Sequence, residues 1–155
     1  EMTQKDKLDL GFVRLASVPE DLEMKAVYRD SFSLVVPEGH PIQQKDFKSI
    51  AQFAAESFIL FSSDYSNFYY EQIMGICRDE GFMPKIKHKS VHALTIFRLV
   101  ENGLGVAIVP TSLKEGYNLE VRFMEIPEIS QYTELSVIWK PANRNPVLGK
   151  VLGMI

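Results

Sequence analysis

The stretch from Val91 to Pro110, VHALTIFRLVENGLGVAIVP, constrains this chain more than any other. Leu94, Phe97, Leu99, Val100 and Leu104 recur mostly every three or four residues, a spacing that lines them along one face of a helix. Asn102-Gly103 stops that helix, because a left-handed C-terminal cap is cheapest where no Cβ meets the carbonyl. Val106 to Val109 is then a short apolar run closed by Pro110, which reads as a strand buried on both faces, as in a parallel sheet covered by helices. Helix, glycine turn and buried strand form half of a βαβ unit. The chain is therefore expected to be α/β, and the ends of such strands and helices are where α/β proteins bind small ligands.

The flanks extend the same pattern. Leu8 to Val13 reads as a strand in which Gly11 marks a close backbone approach, with Arg14 at its end. A strand this early has nothing before it to pair with, so the chain is expected to lack its beginning. Lys25 to Asp30 and Ser31 to Val36 read as two strands of an antiparallel hairpin turning at Arg29-Asp30. The Pro37-Glu38-Gly39-His40-Pro41 turn follows, then a short helix capped by Asp46 and carrying Phe47, Ile50, Ala51, Phe53 and Ala54. Ser57 to Phe61 is a buried strand, Ser62 to Phe68 a polar loop, and a helix from about Tyr69 points Ile73, Ile76 and Cys77 inward before stopping at Glu80-Gly81. A strand over Lys85 to Ser90 leads to the opening stretch. Beyond Pro110, a helical turn near Thr111 to Tyr117 precedes two alternating strands, Leu119 to Ile126 and Glu134 to Lys140. A last helix, Val147 to Ile155, would take Asn145 as its cap and Pro146 as its first residue.

Composition excludes several classes. With 46% hydrophobic and 24% charged residues in 155, the chain can bury a core and is neither disordered nor membrane-like. No apolar run approaches the ~20 residues of a membrane span, and the first residues lack a secretion-signal core, so a soluble, cytoplasmic protein is expected. Cys77 has no disulfide partner and reads as a small core residue. A net charge of -3 argues against phosphate-backbone binding, so any DNA contact would come from residues outside this chain. His40, His88 and His92 lack metal-ligand spacing, no serine sits in a Gly-x-Ser-x-Gly elbow, and no glycine-rich phosphate loop is present. No catalytic residue, metal or cofactor is expected.

Binding is the remaining chemistry. Helix N-termini favour anions through unpaired N–H groups and the helix dipole, and the chain offers two: Ser62 to Phe68 leading into Tyr69, and Ser90-Val91-His92-Ala93. Arg14 could grip a carboxylate through two parallel hydrogen bonds, or else form an ion pair with a neighbouring Asp or Glu. His92 is either a ligand contact or a solvated helix-start residue. Pro110 closes the buried strand, where a structural role competes with a contact. Of the aromatic cluster Tyr65, Phe68, Tyr69 and Tyr70, half belongs to the core, since a helix cannot aim every residue one way.

The phrases LDLGFVR (8–14), LVVPEGHP (34–41), FILF with a serine-rich loop (58–66), CRDEGF (77–82) and LVENGLGVAIVP (99–110), in this order and spacing, closely resemble the effector-binding domain of LysR-type transcriptional regulators. The resemblance implies a type 2 periplasmic-binding-protein fold. Two α/β lobes, 1–44 with 117–155 and 45–116, would be joined by two crossing segments, with an effector in the cleft. It further implies that the 62–68 loop supplies backbone amides and an aromatic side chain to the effector, which places Ser63, Asn67, Phe68 and Tyr69 beside Arg14, His92, Ala93 and Pro110 as candidate contacts. The GFVR variant resembles the subgroup that senses aromatic compounds, so the effector is expected to be a small carboxylate, aromatic-derived. The family's winged helix-turn-helix, its linker helix and the first strand–helix–strand–helix of the effector domain have no counterpart here, leaving the first lobe incomplete. DNA would be bound only by that absent N-terminal part, and effector domains of the family pair as homodimers or homotetramers. A solute-binding protein of a transport system and an enzyme on the same scaffold are the alternatives left open.

Overall fold

The computed structural model describes residues 3, 5, 7–15, 17–63 and 67–155. Its strands are β1 (Leu10–Val13), β2 (Glu23–Asp30), β3 (Phe32–Pro37), β4 (Ser57–Phe61), β5 (Lys85–Ser90), β6 (Ala107–Pro110), β7 (Val121–Glu125) and β8 (Thr133–Trp139). Its α-helices are α1 (Asn67–Asp79), α2 (Ala93–Glu101) and α3 (Leu148–Leu152). The chain divides into two compact units, residues 1–29 with 134–155 and residues 30–133. β3 pairs with both β6 and β7, which places those three strands together in the second unit.

In the first unit β8 lies between β1 and β2. β1 pairs antiparallel with β8, Phe12 opposite Val137 and Gly11 opposite Ile138. A Cβ on Gly11 would stand 3.2 Å from the Thr3 hydroxyl oxygen, the close approach that the glycine in this strand signals. Asp9, just before β1, receives hydrogen bonds from the side-chain amides of Asn143 and Asn145, each at 2.9 Å. Those two bonds tie the start of β1 to the turn that precedes α3.

The second unit holds the larger core. Phe32, Leu34, Phe53, Phe58, Ile59, Leu60, Ile73, Ile96, Phe97 and Ile108 are all essentially inaccessible to solvent. β3 runs antiparallel to β6 on one side and to β7 on the other. β4 and β5 pair in parallel, joined through α1. This βαβ unit lies before the one expected at Val91 to Pro110, and β4 and β5 keep the bounds expected from the sequence.

Five sequence expectations change. β2 and β3 form no hairpin: Arg29 and Asp30 lie inside β2, and after Ser31 the chain enters the other sheet. The run after Gly105 is buried as expected, but its partners are mixed. Val106 bridges Phe58 of β4 in parallel, and Ala107–Pro110 then pairs antiparallel with Phe32–Val35. Apolarity on both faces reports burial and carries no strand direction. In place of a helix capped by Asp46 the chain forms two 3-10 turns, Gln44–Asp46 and Ile50–Phe53, and the cap of the second is Ser49 in a capping box with Gln52. On α2 the buried residues are Ile96, Phe97 and Val100, whereas Leu94 and, beyond the helix, Leu104 stay 49% and 43% exposed. Leu94 stands in the first turn of α2. The final helix is shorter than expected, with Val147 as its N-cap, while the Asn145 side chain accepts the Val147 N–H at 2.9 Å.

Candidate functional site

The site is built on the paired parallel strands of the second unit. Phe61 of β4 stands opposite Ser90 of β5, and the Ser62 N–H donates to the Ser90 carbonyl at 3.0 Å, so both strands end side by side. β4 leads to α1 and β5 leads to α2. Two helices therefore start from adjacent carboxyl ends of parallel strands, the position at which α/β sheets present ligand-binding groups.

The start of α2 is held from within. Ser90 Oγ accepts the His92 N–H at 3.1 Å and donates to the His92 carbonyl at 3.3 Å. His92 is the N-cap, with extended backbone, and its side chain does not cap the helix. The first intrahelical donor is the Ile96 N–H, to the His92 carbonyl at 3.2 Å. The N–H groups of Ala93, Leu94 and Thr95 thus precede the helix's own acceptors and face outward with the positive end of the dipole. Beside them Val91 and Leu94 are exposed apolar side chains, and the His92 imidazole is exposed as well.

At the start of α1, Asn67 is the first helical residue and is exposed; Ser63 and Phe68 are half-buried. Tyr69 is buried, its ring edge-on to Phe61 at 5.2 Å and tilted against Phe32 at 5.6 Å, so it packs on the core. Tyr70 is half-buried with the Lys89 ammonium 5.0 Å over its ring, which ties the first turn of α1 to the end of β5. Asp64, Tyr65 and Ser66 lie outside the described residues. Pro110 is buried opposite Phe32 as the last residue of β6. Arg14 belongs to the first unit, half-buried just past β1.

The second unit thus brings together the two helix starts and their neighbours Ser63, Asn67, Phe68, His92 and Ala93. Ser90 belongs to the helix start read from the sequence, but its clasp on His92 does not show there; a serine two residues before the N-cap is the only local signal. Among the described residues no three His, Cys, Asp or Glu side chains are grouped to hold a metal ion, and no helix is long and apolar enough to cross a membrane. Chemically, the arrangement offers neutral N–H donors and hydroxyls beside apolar surface, which suits binding an anion with an apolar body.

Residues 1–155 match the family described as LysR substrate binding domain. The HTH-type transcriptional regulator YnfL of Escherichia coli (strain K12) is 31% identical over 144 residues, covering 89% of this chain and 48% of the relative. The chain therefore spans about half the length of that relative. The BenM effector binding domain with its effector benzoate superposes with a TM-score of 0.78 at 16% identity, over 99% of this chain and 73% of that one. The effector binding domain of QuiR in complex with shikimate superposes with a TM-score of 0.75 at 21% identity, over 99% of this chain and 72% of that one. The α/β fold is that of these effector-binding domains, which are of the periplasmic-binding-protein type 2 kind.

Proposed function

Because the chain belongs to the LysR substrate-binding domain family of transcriptional regulators, we propose that it is the effector-sensing part of a cytoplasmic bacterial regulator whose effector is a small carboxylate bound where β4 and β5 end. The observation that carries this reading is the pair of helix starts on adjacent carboxyl ends, with three outward N–H groups on α2. Donors of this kind grip a carboxylate without carrying a full charge of their own. The exposed Val91 and Leu94 favour an effector with an apolar body, so aromatic acids are the first class to test. The two solved relatives hold benzoate and shikimate, both carboxylates, and support the same chemical class.

Ser63, Asn67, Phe68, His92 and Ala93 are the proposed contacts from the second unit, with Tyr69 and Pro110 as walls. Arg14 is proposed as the charged partner of the carboxylate on the strength of the sequence. An effector that prefers one conformation of the domain shifts the population toward it, and only that difference in affinity can pass a signal onward. DNA contact is assigned to an N-terminal helix-turn-helix, and self-association to effector domains pairing as dimers or tetramers.

The test is a melting experiment with benzoate, shikimate and their methyl esters. Ligand at 100 times its Kd adds about 2.7 kcal/mol of stability. The acids should raise the melting temperature and the esters should not, and Arg14→Ala or Asn67→Ala should reduce the rise. Equal shifts from acid and ester would remove the carboxylate from the proposal.

A further inference from the structure

Pro110 ends β6 without an N–H of its own, and the residues after it, Thr111–Lys114, form only a 3-10 turn. What fixes that turn comes from far away in sequence. Thr111 donates its N–H to the Ser31 carbonyl at 3.0 Å, and its hydroxyl lies 3.0 Å from Ser31 Oγ and 2.8 Å from Ser33 Oγ. Ser112 donates its N–H to the Asp30 carboxylate at 3.2 Å and its hydroxyl to Asp30 Oδ2 at 2.5 Å. Asp30 is 2% exposed and Ser33 is inaccessible. Hydrogen bonds to an ionised acceptor are roughly twice as strong as neutral ones, and a buried carboxylate demands them.

We propose that Asp30 is a positioning residue: it holds the backbone just past Pro110 in the pose the effector site requires, without touching the effector. The inference rests on the reading of the β6 end as a wall of that site. Its mechanical part stands apart from any ligand. Asp30 supplies the acceptor for the Ser112 N–H and hydroxyl, so its removal frees the turn while the ladder of β3 with β6 and β7 stays paired.

Amide hydrogen exchange on the wild-type chain, Asp30→Ala, Asp30→Asn and Ser112→Ala tests it, first without ligand. Asp30→Ala should speed exchange at Thr111 to Leu113 about tenfold or more, with Val35, Phe123 and Ile73 unchanged. Asp30→Asn keeps an acceptor for the Ser112 N–H and should restore most of the protection. Ser112→Ala removes only the hydroxyl bond and should give a smaller, equally local increase, which decides the matter if Asp30→Ala does not fold. Exchange that rises evenly across the second unit, or not at all near Ser112, overturns the proposal. Whichever of benzoate and shikimate binds the wild type should bind Asp30→Ala at least about fivefold more weakly and Asp30→Asn nearly as well; unchanged affinity in Asp30→Ala overturns the link to recognition. Binding of neither acid to the wild type counts against the proposed function, and the exchange pattern still decides the role of Asp30.

Discussion

Cys77 sits on the inner face of α1 with Ile73, Met74 and Ile76, and burial pushes its thiol from 9.0 up to about 12. The nucleophile and metal ligand is the thiolate, so near neutral pH this group has neither role. A thiol reagent should leave the folded chain unmodified at pH 8 and react once denaturant unfolds it; labelling of the native protein would contradict the burial. The sign of its pH dependence follows. A folded-state value above the unfolded one gives stability that is complete below pH 9.0 and is lost as pH rises toward about 12. Asp9 behaves in the opposite sense. Hydrogen bonds from Asn143, and then Asn145, lower its value below 3.8, so its contribution is present above that pH and fades as acid protonates the folded form. The melting-temperature gap between wild type and Asp9→Ala should therefore narrow on acidification below 3.8. Gly105 has φ +156, and a Cβ there would stand 2.3 Å from the Ser57 carbonyl oxygen, the acceptor of the Val106 N–H. Gly105→Ala should cost about 2–4 kcal/mol in chemical denaturation, by prying β6 from β4.

At the level of elements, the sequence predicts most of the pieces because their signals are local. The helix stop at Gly103, with φ +72, the strands over Ser57–Phe61 and Lys85–Ser90, and the inward face of α1 all follow from spacing and glycine placement. The failures share a cause. The absent β2–β3 hairpin and the mixed partners of β6 depend on pairing between residues far apart, such as Asp30 with Ser112, which no local pattern encodes. The candidate site was readable as two helix starts, but not as neighbours, since their adjacency comes from the register of Phe61 against Ser90. Leu94 fits the helical period yet stays exposed, since α2 buries Ile96, Phe97 and Val100. The start of α2 gives the element-scale prediction. Ser90→Ala removes both bonds to His92 and should destabilise the domain by about 1 kcal/mol while weakening carboxylate binding.

For the whole molecule, five phrases spread over residues 8–110 point to the family that the full chain then matches. Such phrases mark strand ends, glycine stops and buried runs, which is why they carry the architecture even where single strand partners are misread. They do not name the effector, because the contacts proposed for it include backbone N–H groups, which any side chain can accompany. The α/β unit β4–α1–β5–α2 is what the proposed sensing depends on. The direct test is to follow the backbone amide resonances of the chain while benzoate or shikimate is added. The proposed site predicts saturable shifts concentrated at Ser62, Ser63, Asn67 to Tyr69 and Ser90 to Thr95. Shifts absent from both helix starts, with saturable binding elsewhere, would contradict it.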